Sequence, residues 1–366
     1  MKTLETGIKK VRNVVDYTIG VDSLSNLQII LNKIRKNDGY VVFFVDSFFE
    51  GNEPIIRKLG VLLSDAIRYV STDTEPTTDQ IDSIINELRL DGFVSPSAII
   101  GMGGGITMDI AKAVANLYTN TGKAEEYQGW DLVKNPAVYK IAIPTISGTG
   151  AEATRTCVMT NKRSGLKLGM NSDYTVYDQI IMDPLLTATV PRDQYFYTGM
   201  DAYIHCIESL SGQYRNGIGD AYSRETINLC RKVFIGGDMM DDKNRELLMI
   251  ASYLGGCAIA TSYVGLIHPF SAGLSVVLGL HHCVANCIVM NAMEPYYPDG
   301  YAEFQRMTKE QNVKIPTGVC ADLTNDQHEK LYQSTIIHEK PLTNALGEGY
   351  VSVLTKERVK AIFKKM

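Results

Sequence analysis

The chain has 366 residues, 45% hydrophobic and 21% charged, with a net charge of −5. That is length enough for two separately cored domains, and the weak acidity argues against a nucleic-acid or anionic-membrane partner. No apolar run reaches membrane-spanning length, and the opening MKTLETGIKKVRN is mixed and polar rather than a secretory leader. The seven cysteines form no CxxC pair, and Cys157, Cys206, Cys257 and Cys287 lie in apolar contexts. A reduced, cytoplasmic enzyme is the expectation.

In chain order, residues 24–36 are expected to form a helix, and YVVFFVDSFF (Tyr40–Phe49) a strand with Asp46 at its C-terminal end. A helix over 52–68 and a short strand over Ala66–Val70 follow. An amphipathic helix then starts after Pro76, with Thr78 to Asp79 supplying its N-cap. SAIIGMGGGITMDIAKAVANLY reads as a buried strand, a glycine turn and a helix. Strands alternating with helices imply a parallel sheet covered on both faces. At the turn, Gly103, Gly104 and Gly105 let backbone N–H groups approach a pyrophosphate at a helix N-terminus, ahead of Asp109. Tight packing is the plain alternative.

YKIAIP then runs into PTISGTGAE (Pro144–Glu152), where Thr145 and Thr149 can donate to a ligand lying against the backbone. An ordinary Ser/Gly loop is the alternative. SGLKLGMNSDYTVYDQIIMDP is expected as an antiparallel hairpin with Lys167 on one strand. Beyond it strands cease, so an α/β domain over 1–187 and an all-helical domain over 188–366 are expected. Lys356–Met366 reads as a basic amphipathic helix with a solvated face.

The helical half carries TGMDAYIHCIE, where Asp201 and His205 are four apart and share one helix face. Downstream, GLIHPFSAGLSVVLGLHHCVAN adds His268, His281 and His282 in apolar surroundings. One carboxylate with imidazoles suits Fe(II) or Zn(II), with a coordination position left open for chemistry.

Together, GGGITMDIAK, PTISGTGAE, LKLGMN, DPLLTATVP, TGMDAYIHCIE and HHCVAN resemble, in order, the motifs of the iron-containing (group III) alcohol dehydrogenase family. The resemblance covers roughly residues 40 to 300. It implies an N-terminal dinucleotide-binding α/β domain and an all-α C-terminal domain, a dehydroquinate synthase-like fold, with the metal in the cleft between them. The metal ligands would be Asp201, His205, His268 and His282, the last preferred to His281 because the family's HxVAN element begins there. Gly103, Gly104, Gly105 and Asp109 would lie at the pyrophosphate of NAD, and Thr145 and Thr149 would contact the cofactor. Lys167 matches the lysine near the nicotinamide ribose and counts, with Asp201 and His282, among the catalytic residues. Asp46 would accept from the adenosine ribose and disfavour a 2′-phosphate, hence NAD over NADP. Two positions depart from the pattern: Ile106 replaces a serine after the glycines, and Ala272 replaces a histidine near the nicotinamide.

The expected reaction is metal-dependent oxidation of the C8 primary alcohol of 3-deoxy-D-manno-octulosonate to the aldehyde, for modified lipopolysaccharide sugar synthesis. The alternative is a generic NAD-dependent primary alcohol dehydrogenase or aldehyde reductase. For the sugar acid, Arg155 would grip the carboxylate and Val264 would line the pocket; a surface or interface ion pair is the plain reading of Arg155. A homodimer is expected. A dehydroquinate synthase-type lyase is a poorer match, since 255–295 contains neither Lys nor Arg.

Overall fold

The computed structural model describes residues 8–35 and 39–366. They divide into two compact units: an α/β unit of 12–146 with 151–189, and a helical unit of 8–11, 147–150 and 190–366.

The α/β unit is organised by β1 (Asp16–Ile19), β2 (Val41–Asp46), β3 (Ala66–Val70), β4 (Ala98–Gly103), β6 (Lys140–Pro144) and β9 (Gln179–Met182). They form one sheet in the order β1-β9-β6-β4-β2-β3, with every pair parallel. β2 shows why. Its apolar run has no polar face to give to water, so each face must be covered. Val42 and Phe44 pack into one core with Ile81, Ile85 and Ile110, from α3 (Thr78–Leu90) and α4 (Gly105–Thr119). Val41, Phe43 and Val45 pack into another with Leu27, Leu31 and Leu59, from α1 (Leu27–Ile34) and α2 (Glu53–Leu59). A second, smaller sheet runs β5 (Gly129–Trp130), β8 (Leu166–Asn171), β7 (Thr156–Asn161).

Several local expectations need correction. The antiparallel hairpin joins β7 to β8, with Thr160 opposite Lys167. The segment after β8, expected as the returning strand, instead enters the large sheet as β9, parallel to β1 and β6. Ile180 and Ile181 are fully buried there, which a hairpin edge would not provide. The helix expected over 52–68 ends at Leu59, because Gly60 adopts φ 57 and stops it. The N-cap of α3 is Thr77, in a capping box with Gln80. Of the helix expected over 24–36, residue 36 lies outside the described residues, and its first turn is a 3-10 helix, Ser23–Asn26. Strand β1 was not anticipated.

The helical unit contains α5 (Arg192–Ser211), α6 (Gly217–Ile235), α7 (Asp242–Thr261), α8 (Ile267–Leu278) and α9 (His282–Met290). Asn216 and Asp241 cap α6 and α7 through their side chains. Tyr195, Phe196, Tyr203, Phe234, Phe270 and Phe304 lie in its core. The last helix, Lys356–Phe363, is docked rather than merely solvated, burying Val359, Ile362 and Phe363. The expected pairing of a parallel α/β unit with an all-helical one is present. Among the described residues, no helix is long and apolar enough to cross a membrane.

Candidate metal centre and cofactor residues

Helical periodicity places Asp201, His205 and Glu208 on one face of α5. Two further imidazoles arrive at the beginnings of other helices: His268 is the second residue of α8 and His282 the first of α9. Ligand atoms of Asp201, His205 and His268 all lie within 4.8 Å of one another. Asp201 Oδ1 is 3.4 Å from His205 Nε2 and 3.3 Å from His268 Nε2, and Asp201 Oδ2 is 3.8 Å from His282 Nε2. The His205 and His268 rings stack at 4.7 Å. Side-chain exposure rises from 0% at Asp201 and 4% at His205 to 30% at His282, so the cluster is buried at one end and open at the other.

The electrostatics are those of a cation site. Burial would raise the Asp201 carboxyl, but the imidazoles of His205, His282 and His268 outweigh it and hold it below the usual carboxylate range. Burial lowers His205 to about 4, against the pull of Asp201. Burial also works against a charged His268, yet Glu208 and Asp201 overcome it and raise the group to about 10. A metal ion binding there displaces a proton.

The buried amide of Asn286, one turn beyond His282 on α9, supports the fit. Its Nδ2 lies 2.7 Å from Asp201 Oδ1, 3.1 Å from His282 Nε2 and 3.4 Å from His268 Nε2. A positive-end donor thus faces three of the four expected ligands, while Asn286 Oδ1 and His205 Nδ1 are buried with no hydrogen-bond partner. One carboxylate and three imidazoles around such a point fit a divalent ion. Asn286, Glu208 and Cys283, whose Sγ is 3.7 Å from Asp201 Oδ2, were not singled out from sequence. For Glu208 the signal was available as the i+7 position from Asp201. His281 is exposed ahead of α9, and Ala272 is buried one turn beyond His268.

In the α/β unit, three adjacent strands end together. Asp46 closes β2, Gly103 closes β4 and pairs with Pro144 at the end of β6, and Thr145 N–H donates to the Gly103 carbonyl at 3.1 Å. Gly104 and Gly105 follow as N-cap and first residue of α4. The carboxyl ends of parallel strands leading into a helix N-terminus are where nucleotides bind in such sheets. The Asp46 carboxylate accepts from Phe48 N–H at 3.0 Å, and burial raises its pKa.

Asp109 points elsewhere. It is turned from the glycine loop to accept from Val158 N–H on β7 at 2.9 Å, and burial lifts its carboxyl to about 6. Lys167 is 6% exposed and pairs with Glu75 at 3.0 Å. Arg155 is engaged by Asp131 and, at 3.4 Å, by Asp173. Thr149 belongs to the helical unit, in the 147–150 segment laid against α5 and α7. Val264 lies in the loop before α8, its carbonyl accepting from Asn344 Nδ2 at 3.1 Å.

A family model described as iron-containing alcohol dehydrogenase matches residues 15–184, and one described as the C-terminal part of the Fe-containing alcohol dehydrogenase family matches 195–334. Sulfoacetaldehyde reductase of Bilophila wadsworthia (strain 3_1_6) is 31% identical over 287 residues, covering 74% of this chain and 71% of that protein. NAD-dependent methanol dehydrogenase of Bacillus methanolicus is 28% identical over 239 residues, covering 64% of this chain and 61% of the relative. Among solved structures, that of a 1,3-propanediol oxidoreductase superposes with a TM-score of 0.83 at 19% identity, covering 98% of this chain and 99% of that one. At that identity the likeness is one of fold.

Proposed function

Because the chain belongs to the iron-containing alcohol dehydrogenase family and is an oxidoreductase of that type, we propose that it interconverts a small primary alcohol and its aldehyde, with NAD as hydride carrier. One divalent ion, Fe(II) or Zn(II), would be held by Asp201, His205, His268 and His282. The observation that carries this reading is the convergence of Asp201, His268 and His282 on the Asn286 amide, with His205 Nε2 3.4 Å from the same Asp201 oxygen. When bound, the ion supplies Lewis acidity toward the alcohol oxygen and the nicotinamide supplies the hydride acceptor.

The rest falls to the chain's own residues. A single carboxylate among neutral imidazoles leaves a dication with uncompensated positive charge, complementary to the negative charge that develops on the reacting oxygen. His205, with a pKa of about 4, is neutral near pH 7 and ready to donate a lone pair. The greater exposure of His282 marks the side open to substrate. Asp46, Gly103, Gly104, Gly105 and Thr145 would hold the dinucleotide, with Thr149 and Lys167 toward its nicotinamide half. Asp109 would hold β7 to α4 rather than touch phosphate.

Names of relatives point to small substrates such as sulfoacetaldehyde or methanol, and a small alcohol or aldehyde is the first choice. Oxidation of the C8 alcohol of 3-deoxy-D-manno-octulosonate is the narrower proposal. It needs a cation for the substrate carboxylate, and Arg155 would have to leave Asp131 and Asp173 to serve. The deciding experiment measures NADH formation and consumption by Fe(II)- and Zn(II)-loaded protein with simple primary alcohols, 1,2-propanediol, sulfoacetaldehyde and the octulosonate. Faster turnover of the octulosonate, abolished selectively by Arg155→Ala, would establish the narrower reading. No NAD-linked turnover of any of them would overturn the function proposed.

A further inference from the structure

Glu208 lies one turn beyond His205 on α5 and is 1% exposed, yet it has no place among the four expected metal ligands. One of its oxygens accepts from the backbone N–H of Ile267, and the other is hydrogen-bonded to Nδ1 of His268. Ile267 and His268 are the first two residues of α8. The carboxylate therefore stands at the positive end of that helix, where an anion is stabilising, and holds its second residue by the side chain as well. Tyr297 adds a neighbouring tie, its hydroxyl accepting from Leu266 N–H at 3.0 Å.

The chemistry of imidazole gives this arrangement a consequence. A neutral ring carries one N–H, and only the other nitrogen has a lone pair to offer. With Nδ1–H given to Glu208, Nε2 carries the lone pair, and Nε2 is the nitrogen 3.3 Å from Asp201 Oδ1. The opposite tautomer would put a hydrogen between those two atoms, where an ion must sit. A carboxylate behind an imidazole also strengthens its donor nitrogen. His205, in contrast, has no hydrogen-bond partner at Nδ1, so its ring is not oriented in this way.

We propose that Glu208 is the positioning residue of the metal centre. It fixes the tautomer and placement of His268 so that Nε2 binds the ion, and it raises the affinity of the whole site. This rests on reading Asp201, His205, His268 and His282 as metal ligands.

The test uses Co(II) as the probe ion, titrated into full-length protein and followed by its visible ligand-field absorption. Wild type, His268→Ala, Glu208→Gln and Glu208→Ala are compared. Glu208→Gln keeps the size and an acceptor for Ile267 but loses the charge. It should bind Co(II) roughly 10–100-fold more weakly, the usual effect of removing such a partner, with an altered spectrum. Metal-free, it should still fold, with a lower melting temperature than wild type because the buried Glu208–His268 pair loses one charge. Wild-type affinity and spectrum in Glu208→Gln would overturn the inference. Should Glu208→Ala fail to fold, the decision stands on Glu208→Gln and on Zn(II)-loaded wild type with 15N-labelled histidine, six residues in all. There, His268 protonated at Nδ1 and metallated at Nε2 supports the assignment, and the reverse tautomer refutes it. Wild type that takes up no Co(II), or His268→Ala that binds it equally well, would sink the metal site itself and this inference with it.

Discussion

Gly148→Ala tests how the loop bearing Thr149 is seated. Gly148 has φ +144, and a Cβ built there would lie 1.7 Å from the carbonyl oxygen of Thr198 and 2.3 Å from its carbon. The helix cannot retreat. A Cβ on Gly199, the next residue of α5, would lie 2.5 Å from Phe234 and 2.9 Å from Leu248, so α5 is backed closely on its other side. The loop must move instead, by more than about 1 Å, and overpacking of that kind typically costs about 1–3 kcal/mol. Backbone strain at such a φ adds about 1–3 kcal/mol. Gly237→Ala isolates the two effects: it has φ +134 but nothing within 4 Å of the added methyl, and it lies in the same unit. In urea unfolding of the helical unit, Gly148→Ala should therefore be the more destabilised by about 2 kcal/mol. Co(II) stoichiometry should persist in both, because Asp201 and His205 sit on the helix that stays put, while NAD binding weakens in Gly148→Ala alone. Equal destabilisation of the two variants would refute the close seating of 147–150 on α5.

Three further outcomes are expected. His268→Ala and His282→Ala should lose bound metal by elemental analysis, and His281→Ala, which changes an exposed residue, should keep it; metal loss in His281→Ala would reassign the pair. Asp46→Ser should narrow any preference for NAD over NADP by roughly fivefold in kcat/KM, from a Coulomb term on the order of 1 kcal/mol near solvent; an unchanged ratio removes Asp46 from the ribose. Asp65 is a buried carboxylate that takes both guanidinium nitrogens of Arg35 at 2.6 Å and the N–H groups of Val41 and Leu62 at 2.8 Å. Burial works to raise its pKa, and Arg35 and those N–H groups outweigh it, so the folded value is depressed. A depressed carboxyl stabilises the fold above its unfolded value of about 3.9 and ceases to as the pH falls through its folded value. Asp65→Asn should therefore cost about 3 kcal/mol or more at pH 7, and the gap to wild type should shrink below about pH 4. A gap that stays constant in acid defeats the assignment.

The sequence made legible whatever depends on short-range pattern. The spacing of Asp201 and His205 needs only a helix, and the run from Val41 to Val45 needs only a sheet covered on both sides. Partners across long separations were less visible. Whether the segment 179–182 pairs with β8 or with β1 and β6 is decided by which neighbour can bury Ile180 and Ile181, and no local signal states that. Arg155 shows the same limit, since Asp131 and Asp173 reach it through folds of the chain. Glu208 is different: its position seven residues from Asp201 was readable, but its role became visible only once α8 had brought Ile267 and His268 against it.

The alternation along β2 has an evolutionary consequence. Phe43 and Phe44 belong to cores on opposite sides of the sheet, and Asp46 ends the same strand beside Gly103. Exchange of one apolar side chain for another of similar volume is absorbed on one face. Loss or gain of a single codon within 41–45 would instead exchange the two faces of the strand and carry Asp46 out of line with the glycine turn. Variation along this stretch should consequently proceed by substitution, with length changes displaced to the loops at either end.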